Sequence, residues 1–64
     1  MSTTYGKLLM RDGRIVCVEA YGATHTVKLE WVTGEEIVAF DSEAVIDGLI
    51  RTLELAREHC WGPT

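Results

Sequence analysis

The sequence predicts an α+β domain: a β-meander of three or four antiparallel strands, followed by one C-terminal helix packed on one face of the sheet. Three observations carry this. Alternation over His25–Val32 puts Val27, Leu29 and Trp31 on one side and Thr26, Lys28 and Glu30 on the other, the period of a strand with one wet face. Asp12-Gly13 and Gly34 sit between apolar runs, where a tight reversal needs a residue that tolerates positive φ. After Phe40 the apolar period lengthens: Val45, Ile46, Leu49, Ile50, Leu53, Ala56 and Cys60 fall along one side of a helix.

The elements follow in order. Tyr5–Met10 reads as the first strand, Arg11-Asp12-Gly13-Arg14 as a hairpin turn, and Arg14–Ala20 as the second strand. Gly22 and its small neighbours turn the chain into His25–Val32, and Thr33-Gly34-Glu35 turns it again into a short fourth strand, Glu36–Phe40. Asp41 or Ser42 caps the helix, with Glu43 complementing the positive end of its dipole, and Gly62-Pro63 stops it. This gives one domain over 5–61, with flexible ends at 1–4 and 62–64. The helix is expected to cover the face bearing Val27, Leu29 and Trp31, with Trp31 buried near Leu49 and Leu53, because neither element buries its apolar side alone.

The strands are apolar on their second side as well. Ile15, Cys17, Ile37 and Ala39 share the face that this helix does not reach. One helix covers one face, so the other requires a curled sheet, a homodimer or a partner interface.

A chain of 64 residues makes one domain, and a domain of this size is marginally stable. No run of about 18 apolar residues is present, so no membrane-spanning helix is expected. Met1-Ser2-Thr3-Thr4 has neither the basic segment nor the apolar stretch of a signal peptide, and the expected compartment is the cytoplasm. There Cys17 and Cys60 are free thiols. With His25 and His59 they lack the close spacing that builds a zinc site, so no metal is expected. Cys17 and Cys60 read instead as buried apolar residues and His59 as solvated. No Gly-x-Ser-x-Gly element or glycine-rich phosphate loop occurs, and a chain this short has little room for a substrate cleft with its supporting shell. Neither catalysis nor a cofactor is expected.

Charge is divided unevenly. Residues 1–29 hold Lys7, Arg11, Arg14 and Lys28 against Asp12 and Glu19; residues 30–64 hold eight acidic residues against Arg51 and Arg57. The acidic half suits a basic partner surface. Its carboxylates concentrate on one outward strip of the helix: Glu43, Asp47, Glu54 and Glu58, with Arg51 four residues after Asp47. Gly48 and Leu55 add a small smooth patch beside them, and these seven residues form the candidate partner-binding site. The alternative reading uses the basic hairpin, Lys7, Arg11, Arg14 and Lys28, as a small nucleic-acid-binding or antitoxin-like module.

Two resemblances bear on these readings. The order of strands, then Asp41-Ser42-Glu43-Ala44-Val45-Ile46-Asp47-Gly48-Leu49-Ile50, then a helix, is similar to the small β-then-α domain of HicB-like antitoxins, although the apolar Pro-Gly turn of that family is missing. Over the whole chain, small size, acidity and the lack of a catalytic motif resemble phage-encoded anti-CRISPR proteins. That resemblance implies a non-catalytic inhibitor in the host cytoplasm. Its partner would be a basic, nucleic-acid-binding surface on a CRISPR surveillance-complex subunit, with no direct contact to nucleic acid.

Overall fold

The computed structural model describes residues 2–62. Four strands, β1 (Ser2–Leu9), β2 (Ile15–Tyr21), β3 (Thr26–Trp31) and β4 (Glu36–Phe40), form one antiparallel sheet in the order β1-β2-β3-β4, and one helix, α1 (Glu43–Trp61), follows. This is the predicted meander plus C-terminal helix. β1 begins three residues earlier than expected. Ser2, Thr3 and Thr4, anticipated as part of a flexible end, pair with Tyr21, Ala20 and Glu19. Met1, Pro63 and Thr64 lie outside the described residues.

Both hairpins use the same loop. Gly13 N–H donates to the Met10 carbonyl (3.0 Å) and Met10 N–H to the Arg14 carbonyl (2.8 Å); Gly34 and Trp31 repeat the pattern with the carbonyls of Trp31 and Glu35, each at 2.8 Å. In each loop the glycine alone takes the left-handed conformation, with φ of 87° at Gly13 and 100° at Gly34. A three-residue loop ending on such a glycine matches the right-handed twist of the strands it joins. Asp12 locks the first loop further: one carboxylate oxygen accepts from Arg14 N–H at 3.0 Å and the other from Arg14 Nε at 2.7 Å. These contacts hold the Asp12 carboxyl below its ordinary pKa.

The β2–β3 connection departs from expectation. Gly22–Thr24 makes a 3₁₀ turn, and His25, expected to open the third strand, has φ 50° and ψ 48°. That is the left-handed region, where a side chain crowds its own carbonyl. Alternation predicted the strand correctly from Thr26 onward but did not report the conformation of the residue before it.

Register decides what each face carries. On one side Val16 lies between Leu8 and Trp31, Val18 between Gly6 and Leu29, and Ala20 between Thr3 and Val27, while Val38 and Phe40 extend the row across β4. This is the apolar face. On the other side Cys17 lies between Lys7 and Glu30, and Glu19 between Thr4 and Lys28. Irregularities at Tyr5 and at Ile37 let β1 and β4 continue past an extra residue. The second face does hold Ile15, Cys17 and Ala39, but it is polar rather than apolar. Thr4 Oγ1 donates to Glu19 at 2.7 Å, Tyr21 Oη to Glu30 at 2.9 Å, and Lys28 pairs with Glu36 at 3.3 Å. This face is therefore more polar than expected: the pairing of β2 with its two neighbours sets charged residues on either side of the buried Cys17.

A second correction concerns the helix. α1 meets the sheet chiefly beside β4, where Ile46 and Leu49 are half-buried, and no residue of α1 is fully buried. Leu53 stays 59% exposed, and Trp31 is half-buried beneath the Arg14 guanidinium, 4.0 Å from its ring centroid, rather than beneath Leu49 and Leu53. Helical periodicity states that a stripe needs covering; it does not state which surface covers it.

Two predictions follow from the turns. His25→Gly relieves about 1–2 kcal/mol of left-handed strain while adding about 0.5–1 kcal/mol of unfolded-state freedom, so the variant is more stable by up to about 1.5 kcal/mol in denaturant unfolding. Asp12→Ala lowers the thermal midpoint at neutral pH. Because the folded-state pKa of Asp12 is depressed, its contribution is present above the unfolded value and disappears as pH falls through the folded one. The gap between wild type and variant therefore closes in strongly acidic solution.

Candidate interaction surface

The site residues expected from sequence all lie on α1, and the helix is built to display them. The Ser42 hydroxyl accepts from Val45 N–H at 3.3 Å, and Gly62 N–H closes the far end on the Glu58 carbonyl at 2.7 Å. Glu43 sits in the first turn and His59 in the last, each on the favourable end of the dipole.

Glu43, Asp47, Glu54 and Glu58 project on the side of α1 away from its apolar stripe, and all four are exposed, as are Gly48, Arg51 and Leu55. The sequence therefore placed the whole set on one accessible strip. The expected Asp47–Arg51 pair is not formed. Among the described residues, ion pairs join Arg14 to Asp12 and Lys28 to Glu36 only. Glu54 and Glu58, one turn apart, face water with like charge, which mildly opposes helix formation. Thr52 turns its hydroxyl back onto the carbonyls of Gly48 and Leu49 at 3.0 Å, leaving a low surface around Gly48. Leu55, 47% exposed, is the apolar point of this strip.

The four cations of the N-terminal half do not form one patch. Arg11 lies in the first turn, and Lys7 is on the polar face of the sheet. Arg14 is bound to Asp12 and stacked on Trp31. Lys28 is bound to Glu36 and lies 4.8 Å from the Tyr21 ring centroid. Tyr21 is itself committed: its bond to Glu30, with some burial, raises the phenol above its ordinary pKa.

Sequence reading missed one feature. Gly13, Arg14, Ile15, Trp31, Val32 and Glu35 line an open cleft of about 470 Å³ where the two hairpins end side by side. Antiparallel pairing of β2 with β3 brings these distant residues together, and no spacing along the chain signals it. Its one cation, Arg14, is already neutralised by Asp12. Of the two thiols, Cys17 is buried as expected. Cys60, expected on a buried helix face, is exposed because α1 is uncovered there. Among the described residues, no helix is long and apolar enough to cross a membrane.

Gly48 is the outlier for stability. A methyl group built there meets nothing within 4 Å, and glycine in a helix interior costs about 1 kcal/mol relative to alanine. Gly48→Ala should raise stability by about 1 kcal/mol, a rise of about 4–8 °C in thermal midpoint for a domain of this size. An unchanged midpoint would mean that this turn of α1 is not helical in solution.

Comparison with known protein families, with curated proteins and with solved structures finds no match for this chain.

Proposed function

We propose that this chain is a non-catalytic acidic interaction protein, an inhibitor of the anti-CRISPR kind acting in the cytoplasm of a phage-infected host. Its strip of Glu43, Asp47, Glu54 and Glu58 takes the place of nucleic-acid phosphates on a basic protein surface, with Gly48 and Leu55 making the close apolar contact and Arg51 tuning register. The observation that supports this is the combination of exposure and isolation: four carboxylates on one side of one helix, none joined to a cation by an ion pair among the described residues. Glu43 and Asp47, and likewise Glu54 and Glu58, are one turn apart and rise about 6 Å along the axis, while Asp47 and Glu54 are two turns and about 10 Å apart with Arg51 between them, so the carboxylates run as two pairs along one side of the helix. A row of unpaired charge speeds and orients encounter with an opposite surface, and its effect weakens with salt. The basic-hairpin alternative is not favoured, since two of its four cations already have carboxylate partners.

The test is competition for a guide-loaded CRISPR surveillance complex against labelled target DNA. The chain should block DNA binding, and the block should weaken as ionic strength rises. The double variant Glu54→Lys, Glu58→Lys should lose at least about tenfold in potency while keeping its circular dichroism spectrum. The chain alone should not shift DNA in a gel. Equal potency of the double variant, or a salt-independent block, would remove the acidic strip from the mechanism. A gel shift by the chain alone would favour the hairpin.

A further inference from the structure

We infer that the functional unit is a two-fold symmetric dimer in which the apolar stripe of α1 from each copy lies across the apolar sheet face of the other. The first support is surface area. The chain exposes 5278 Å², whereas a folded monomer of 7.1 kDa is expected to expose about 4,100 Å². The excess, about 1,200 Å² per copy, would bury about 2,400 Å² across a pair, within the range of obligate homodimers. The second is extension. The radius of gyration is 13.2 Å against about 10.7 Å for a compact domain of this length. Both quantities describe a chain that has formed its secondary structure but has not closed its core.

Two apolar surfaces contribute to the excess, and they are complementary. The sheet face built around Val16, Val18 and Leu29 is apolar; Val16 is buried, but Val18 and Leu29 are only half-buried, Leu8 beside Val16 is 53% exposed, and α1 meets the sheet chiefly at β4. On α1 the stripe is covered only at Ile46 and Leu49, which are half-buried, while Ile50 and Leu53 stay 50% and 59% exposed. Their dimensions agree: a 19-residue helix is about 28 Å long, and strands of this length run about 17–26 Å. Charge agrees as well. The carboxylates of α1 point away from its stripe, so pairing two acidic copies does not bring those rows together. The opposite sheet face, with its Thr4–Glu19, Tyr21–Glu30 and Lys28–Glu36 contacts, remains in water. A two-fold arrangement places the same two patches on each copy and satisfies both at once. The inference stands independently of which protein the acidic strip engages.

Sedimentation equilibrium of the wild-type chain at micromolar concentration should return twice 7.1 kDa. Leu53→Glu should raise the dissociation constant at least a hundredfold, whereas Ala44→Glu, on the opposite side of α1, should leave the mass doubled. Leu53→Glu alone is open to misfolding, so a second measurement uses wild type only. In a one-to-one mixture of isotope-labelled and unlabelled chains, isotope-filtered NOEs should connect Leu49 and Leu53 methyls of one copy to Val18 and Leu29 of the other. A monomeric mass overturns the inference, and so does a dimer in which those contacts are absent or confined to one chain.

Discussion

The apolar face of the sheet constrains everything else in this structure. β2 is its centre, paired on both sides, and Val16 on that strand is the residue of this face most fully withdrawn from water, as Cys17 is on the other face. Every other apolar residue of the face is only partly covered, because four strands form a single layer and a layer has two sides. A helix exists to cover one of them, and its stripe has the right composition. Yet α1 leaves β4 after a two-residue link and keeps its contacts at that edge. The chain thus leaves much of both apolar surfaces only partly covered within one copy.

The polar side of the sheet is settled internally. Glu19, Glu30 and Glu36 each accept from or pair with a neighbour on the same face, and Lys28 both pairs with Glu36 and stacks on Tyr21. Such exposed pairs contribute little to stability, but they fix cross-strand register and remove charge from circulation. The imbalance visible in the sequence is thereby sharpened. Of the acidic residues in the second half of the chain, those on β3 and β4 are engaged, and those on α1 form no ion pair among the described residues. The helix combines an apolar stripe on one side with uncommitted carboxylates on the other. That division gives one element two chemically distinct surfaces.

Local patterns were legible wherever one residue's neighbours along the chain decide the outcome. Alternation over Val27, Leu29 and Trp31 marked β3; Asp12-Gly13 and Gly34 marked two reversals; the 3.6 period and the Ser42 cap marked α1. The acidic strip followed from the same period, since helical spacing alone puts Glu43, Asp47, Glu54 and Glu58 on one side. Less legible were the left-handed His25 and the pairing of Ser2–Thr4. The first depends on how the 3₁₀ turn is closed, and the second on β2 being long enough to receive extra partners. The cleft beside Trp31 had no linear signal, because its walls come from two separate hairpins.

By itself the sequence determined which residues alternate, which turn and which spiral, and hence the order of strands and helix and the side of α1 that carries charge. These are short-range properties, set by backbone sterics and by side-chain period. The tertiary structure alone decided that the second sheet face is polar, because cross-strand register places Lys7 and Glu30 beside Cys17. It alone decided that Trp31 is roofed by Arg14, and that the helix stripe meets the sheet chiefly beside β4, leaving Leu53 exposed. Hydrophobic patterning is non-directional: it specifies that a surface must leave water, and only three-dimensional packing specifies what it meets.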